Sequence, residues 1–327
     1  MKTKTPMYPL LLVTSTLLTI TSTNTMFVWM MLELNMLAFI PLIQTNNSTM
    51  ETEASIKYLI PQSFGSGLFM ASILLMTTKY SNIMATTALT LKLGGVPLHS
   101  WFPAVMQSIN PMTALVLSTW QKAAPILLLT TPHLACTPII IASGTMSALW
   151  GSTAGLNQTN LLKLMAFSSI SHLGWLLAAS LYSSLAPTIY LLSYSLTTFP
   201  IFFYMKTPLI KTYTTTLTPP LNNYMQLTMV INMLSLAGMP PLTMFVNKLP
   251  IISLMAQTLL LPLAVLLTSA AISLYFYASL SVMMILNFNS SSQPTTEKPQ
   301  TTPFIAFTIS TLFQFSALPL WLTMPIL

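Results

Sequence analysis

The sequence contains no arginine and no aspartate: its eleven basic side chains are all lysines and its four acidic ones all glutamates. Charged residues make up 5% of the 327, against about 25% in soluble domains. With a mean hydropathy of +0.73 and 54% hydrophobic residues, the chain reads as an integral membrane protein. The net charge of +7 does not point to nucleic acid, because the lysines are scattered one or two at a time and form no basic patch. A single cysteine, Cys136, excludes an internal disulfide and cannot by itself ligate an iron–sulfur cluster or build a zinc site. There is no phosphate-cradling glycine loop, no nucleophile elbow and no His/Cys metal spacing. The chain is therefore expected to bind no cofactor and no metal of its own.

What the sequence does have is long apolar runs. At about 20 residues per span, helices are expected at 7 to 22, 26 to 44, 59 to 78, 82 to 103, 111 to 130, 134 to 154, 161 to 181, 185 to 205, 224 to 256, 258 to 287 and 303 to 326. The expected fold class is all-α, a polytopic membrane helix bundle of about eleven transmembrane helices, two of them interrupted, forming one transmembrane domain over 1–327. The polar stretches TNNSTMETEAS, KTYTTTLTPPLNN and NFNSSSQPTTEKPQTT are too short for a soluble domain. Any catalytic headpiece must then belong to another chain. The start, MKTKTPMYPLLLV, is basic like a signal peptide, but no small-residue cleavage site precedes the next apolar run, so the first helix is expected to be retained. It also lacks the Arg-rich pattern of a mitochondrial presequence.

Two spans are punctuated. The ninth holds Gly238, Pro240, Pro241 and Pro250, and the fourth has Gly94, Gly95 and Pro97 just after Lys92. Unwound backbone at membrane depth is tolerated only where protein or a wet cavity satisfies it, so paired breaks in different halves point to a transport site, with ordinary proline kinks as the rival reading. Alternating the spans places Lys2, Lys4, Lys57, Lys163, Lys206, Lys211 and Lys298 on the side of the N-terminus and only Lys79 opposite. By the positive-inside bias, the N-terminus is expected to face the cytoplasm or matrix and the C-terminus the other compartment.

The informative residues are the charges inside the spans. Glu33, Lys92, Lys122 and His172 each fall near the middle of a different predicted helix, and Lys248 lies deep in the ninth. A charge at the bilayer centre costs roughly 2.5–3.5 kcal/mol on insertion scales and persists mainly where it is paired or used. Snorkelling does not explain these positions, since a lysine stem reaches the interface only from near a helix end. A lysine whose carboxylate partner can be moved or hydrated is a proton switch, and a row of lysines and a histidine can relay protons through water; static charge pairing is the alternative. Lys122 is expected at the centre of an unbroken helix. Ser168 and His172, spaced i and i+4, leave a hydrogen-bonded structural histidine as an equal reading of His172. His99 and His133 receive no role.

The segments carrying these residues are WMMLELNMLAFIPLI (29 to 43), LKLGGVPLHSWFPAV (91 to 105), STWQKAAPI (118 to 126), GLNQTNLLKLMAFSSISHLGW (155 to 175) and LSLAGMPPLTMFVNK (234 to 248). In that order they resemble the antiporter-like subunit 2 family of mitochondrial NADH:ubiquinone oxidoreductase, respiratory complex I. The resemblance implies a core subunit of the membrane arm in the mitochondrial inner membrane, with its N-terminus in the matrix and its C-terminus in the intermembrane space. It implies other complex I subunits, neighbouring antiporter-like ones above all, and membrane lipids as partners. It further implies that Glu33 is the family's carboxylate, Lys92 the lysine before the first broken helix, Lys122 the bridging lysine, His172 a histidine on the polar axis and Lys248 the lysine of the second broken helix. NADH, FMN, iron–sulfur clusters and ubiquinone would be bound elsewhere in the complex. A free-standing cation/proton antiporter and a structural spacer of the membrane arm remain the alternatives.

Overall fold

The structure, a computed structural model, describes residues 7–45, 48–76, 78, 80–206, 223–290 and 308–314. Among them all regular structure is helical: α1 (Met7–Thr21), α2 (Thr25–Ile43), α3 (Thr49–Leu74), α4 (Ser81–Leu93), α5 (Trp101–Ser108), α6 (Pro111–Ser118), α7 (Trp120–Leu129), α8 (Thr137–Leu156), α9 (Leu161–Ser180), α10 (Leu185–Met205), α11 (Asn223–Ala237), α12 (Thr243–Thr258) and α13 (Leu260–Ser290). A short helical segment, 308–314, lies within the predicted last span, whose remainder falls outside the described residues.

Among the described residues, six helices are long and apolar enough to cross a membrane: α2, α6 and α7 taken as one, α8, α9, α10 and Leu260–Leu286 of α13. Their outward faces carry bare apolar side chains, as at Leu37 on α2, Ile189 on α10 and Leu261 on α13, the inverse of a water-facing surface. Hydroxyls within the helices donate to carbonyls one turn back, as Thr16 does to Val13 (2.8 Å), Ser72 to Phe69 (2.6 Å) and Ser147 to Gly144 (2.9 Å). That is how so many serines and threonines are accommodated away from water.

Helix α9 sits at the centre, with every residue from Ser168 to Ser180 buried, the pattern of a helix enclosed on all sides. Small residues bring α8 against it. A Cβ on Gly174 would stand 2.5 Å from the Gly144 carbonyl, and one on Gly151 2.5 Å from the Ser171 nitrogen. Such backbone approach is the close-packing mode of membrane helices.

Both predicted interruptions are present, and they are built alike. α4 ends in left-handed Gly94 (φ 74°), with the Gly94 N–H donating to Leu91 O (3.0 Å) and the Gly95 N–H to Thr90 O (2.8 Å). α11 ends in left-handed Gly238 (φ 84°), with Gly238 donating to Ser235 O (2.9 Å) and Met239 to Leu234 O (3.2 Å). These are Schellman caps, which need a residue free to take positive φ. In each case a proline follows three residues after the glycine, Pro97 and Pro241, where the missing N–H keeps the helix from resuming at once.

Two expectations about helix limits need correction. α3 begins at Thr49 rather than near residue 59, because the Ser48 side chain caps the Glu51 N–H (3.3 Å) and Glu51 lies in the first turn, where a negative charge suits the helix N-terminus. The helix carrying Lys122 is not unbroken. It is interrupted at Thr119 (φ −114°, ψ −70°), two residues before Gln121, whose carbonyl Pro125 deprives of its helix hydrogen bond.

Candidate functional site

Lys92 occupies the last turn of α4 with 7% of its surface exposed, directly before the first break. Its carbonyl, freed by the helix end, accepts from Gln62 Nε2 on α3 (3.0 Å), and the neighbouring Leu91 carbonyl accepts from Trp101 Nε1 on α5 (3.2 Å). Gly65 lets the lysine stem lie flat on α3, since a Cβ there would stand 3.1 Å from Lys92 Cγ. Between Lys92 and Lys122 lies a cavity of about 20 Å³, lined by both lysines and by Asn35, Tyr58, Gln62 and Gln121. A water molecule needs roughly 10–15 Å³ of such space and two to four polar partners, and this cavity meets both conditions. Asn35 and Gln121 join α2 to α7 across it by reciprocal amide bonds of 3.2 and 3.4 Å.

Lys122 is 2% exposed. Its Nζ donates to the Ser169 carbonyl on α9 (2.8 Å) and stands over the rings of Phe102 (5.3 Å) and Tyr194 (5.9 Å). The interruption at Thr119 starts the Lys122 helix afresh, and Lys122 N–H donates back to Thr119 O (3.3 Å).

His172 is 3% exposed on α9 and close enough to Lys122 and Lys248 to feel both charges. Its Nδ1 is paired with Tyr190 Oη (2.8 Å), and its ring also meets the Leu236 carbonyl near the end of α11. The Ser168 pairing expected from the spacing is not made, because Ser168 donates to Met165 O (2.8 Å). Lys248, 4% exposed on α12, reaches back to the second break: its Nζ is 3.0 Å from where a Cβ on Gly238 would be, and it stands 5.3 Å over the Trp175 ring. Lys92 thus precedes its break and Lys248 follows its own, yet both pack against one.

Glu33 is half-buried on α2. It acts on Lys92 electrostatically but not by contact, since the ion pair within 4 Å among the described residues is the exposed Lys57–Glu53 pair (3.2 Å). Four of the five candidates, Lys92, Lys122, His172 and Lys248, therefore form a buried row, and Glu33 stands at its edge. His133 is exposed and His99 packs edge-on against Trp150 (5.7 Å).

A family description, NADH:quinone oxidoreductase/Mrp antiporter, transmembrane, matches residues 22–274. The chain belongs to this family. All five motif segments of the antiporter-like family lie inside the matched span. NADH-ubiquinone oxidoreductase chain 2 of Lumbricus terrestris is 36% identical over 283 residues, 83% of this chain and 84% of that protein. The protein of the same name from Coturnix japonica is 35% identical over 326 residues, 93% of each. In fold, the chain matches one chain of respiratory complex I from Thermus thermophilus with a TM-score of 0.83 at 21% identity, covering 97% of this chain and 79% of that one. It matches a chain of the Mrp complex from Dietzia sp. DQ12-45-1b with a TM-score of 0.73 at 17% identity, covering 90% and 62%.

In this antiporter-family chain the groups between the lysines carry weaker sequence signals than the lysines do. Asn35, Gln62 and Gln121 are amides in apolar runs, and Tyr190 and Tyr194 share a helix face at i and i+4. A further amide, Gln314, is fully buried beside the α11–α12 break. Its Oε1 accepts from Ser235 (2.6 Å) before the break and from Thr243 (2.7 Å) after it, while its Nε2 donates to Asn232 Oδ1 (3.1 Å).

Proposed function

We propose that this chain is a core membrane-arm subunit of a proton-pumping NADH:ubiquinone oxidoreductase of the mitochondrial inner membrane, and that Lys92, Lys122, His172 and Lys248 carry protons laterally through it. Electron transfer from NADH to ubiquinone takes place in other subunits, and neighbouring antiporter-like subunits flank the chain. The observation that carries this reading is the water-sized polar cavity joining Lys92 to Lys122, because a static charge pair needs no wet gap between two cations. Two ammonium groups facing one cavity cannot both stay charged cheaply in a low dielectric. A proton arriving at one therefore drives a proton off the next. Glu33, near Lys92 but out of contact with it, is placed to tilt that balance when its own surroundings change.

The chain is read as eleven spans, with α4 and α5, α6 and α7, and α11 and α12 each counted as one and the last span containing 308–314. The N-terminus then faces the matrix and the C-terminus the intermembrane space, on the lysine asymmetry. Labelling that placed both ends on one side would overturn the count.

Lys122→Met, which keeps the stem and loses the ammonium, is expected to leave the complex assembled and lower the protons moved per electron. Lys122→Arg is expected to fail as well, because arginine does not release its proton. Full pumping in the assembled Lys122→Arg complex would show that only a positive charge is needed, and the spacer reading would replace this one. Ion exchange by the chain expressed alone would favour a free-standing antiporter.

A further inference from the structure

A gap in the row lies between Lys122 and His172. Lys122 Nζ is held by the Ser169 carbonyl, His172 Nδ1 is occupied by Tyr190, and among the described residues no hydrogen bond joins the two. Between them stands Tyr194 of α10, 1% exposed. Lys122 Nζ is 5.9 Å from its ring centre and the His172 ring 5.2 Å, so the phenol touches the surroundings of both. Its hydroxyl is buried with no hydrogen-bond partner among the described residues. The Ser169 hydroxyl is near enough to interact but lies outside hydrogen-bond geometry, and its own proton goes to Ala166 O (2.7 Å). Two more buried phenols, Tyr190 and Tyr277, act electrostatically on this one or on each other.

A buried hydroxyl unpaired with protein loses about 1–3 kcal/mol of hydrogen bonding, a cost retained where the group is used or bonds an ordered water. A leucine or phenylalanine would fill the same space without it. In the 2.8 Å contact between Tyr190 and His172, transfer towards the ring requires that the Tyr190 O–H donate and Nδ1 accept.

We infer that the Tyr194 hydroxyl, through a bound water on each side, is the proton-relay group linking Lys122 to Tyr190 and His172. The Lys122 ammonium gives one proton to the first water, which passes one of its own to Tyr194 Oη. Tyr194 releases its original proton to a second bound water, which passes one of its own to Tyr190 Oη, and Tyr190 releases its own to His172 Nδ1. Each oxygen gains one proton and loses one, so no tyrosinate remains. The net change is a neutral Lys122 and an imidazolium at His172.

This inference rests on the proposed lateral relay, and the test separates the two. The complex carrying Tyr194→Phe, reconstituted in liposomes, is assayed for assembly, for quinone reduction by NADH and for protons moved per electron. Loss of an unpaired hydroxyl should leave assembly unchanged, whereas a structural role for that hydroxyl would reduce it. Proton translocation is expected to fall about tenfold or more, towards the range of a lost proton-transfer group. Tyr190→Phe should fall comparably, and the double variant no further than either single one, because the two act in series. Normal pumping by assembled Tyr194→Phe, with Lys122→Met defective, overturns the tyrosine link and leaves the relay standing. Normal pumping by Lys122→Met overturns the relay itself. If Tyr194→Phe fails to assemble, normal pumping by Tyr190→Phe overturns the link instead.

Discussion

Gly238→Ala is the sharpest single perturbation of the second break, because it acts on the backbone and on Lys248 together. Gly238 holds φ at +84°, a conformation that costs a residue with a Cβ about 1–2 kcal/mol. The added carbon would also stand 3.0 Å from Lys248 Nζ, where the Trp175 ring, 5.3 Å from the same nitrogen, limits the directions of retreat. The ammonium is the far end of a flexible stem, so it can yield by a few tenths of an ångström at little energetic cost. The expected result is a complex that assembles at slightly reduced yield, consistent with about 1–2 kcal/mol, but moves fewer protons per electron because its last lysine is displaced. Native gels of the assembled complex, together with proton uptake per NADH oxidised in liposomes, measure both. Two controls separate backbone strain from the lysine. Gly94→Ala meets the same conformational penalty at φ +74° but presses on Phe102. Gly67→Ala, with nothing within 4 Å of its Cβ, should be silent or slightly stabilising. An assembled Gly238→Ala complex that pumps normally would refute the idea that Lys248 works from its seat on the break.

Gly174→Ala would place a methyl 2.5 Å from Gly144 O and 2.7 Å from Ala148 Cβ, forcing α8 from α9; at about 1–3 kcal/mol or more for overpacking, the amount of assembled complex should fall sharply on native gels. Glu33→Gln keeps the shape and removes the charge. Because Glu33 is half-buried and out of contact with Lys92, assembly should survive and proton translocation should drop, as a proton-to-electron ratio in liposomes would report. Gln314→Leu removes three hydrogen bonds, leaving Ser235 and Thr243 their long contact with each other (3.4 Å) and taking the Gln314 donor from Asn232 Oδ1. At about 1–3 kcal/mol for each unsatisfied group, this variant should lower the thermal inactivation temperature more than Gly238→Ala does.

The positions of the lysines and of both breaks were legible in the sequence because charge inside an apolar run and glycine–proline punctuation stand out against their surroundings, even where a static charge pair or an ordinary kink rivalled the reading of what they do. The early start of α3 was not, since a polar first turn looks like a loop until Ser48 and Glu51 are seen to cap it. Nor was the interruption at Thr119, which no glycine marks. His172 was legible as a buried group but not its partner: i, i+4 spacing favoured Ser168, whereas serine hydroxyls in this bundle are taken up by carbonyls one turn back, leaving the imidazole to Tyr190. Amides such as Asn35, Gln121 and Gln314 carry no charge to betray them, and their pairings join helices far apart in the chain.

The bracket made by Gln314 has a consequence for the order in which the molecule matures. Chains are synthesised and inserted from the N-terminus, so Ser235, Lys248 and Thr243 enter the bilayer before the residue that ties the two sides of their break together. While α13 is being inserted, the Schellman cap closes the end of α11 and the Ser235 and Thr243 hydroxyls face each other across the break at 3.4 Å, without the amide that holds both. The three bonds of Gln314 to Ser235, Thr243 and Asn232 form only when the segment 308–314 docks. A nascent chain released after α13 would thus carry all four buried Lys and His positions and lack the amide bracket across the second break.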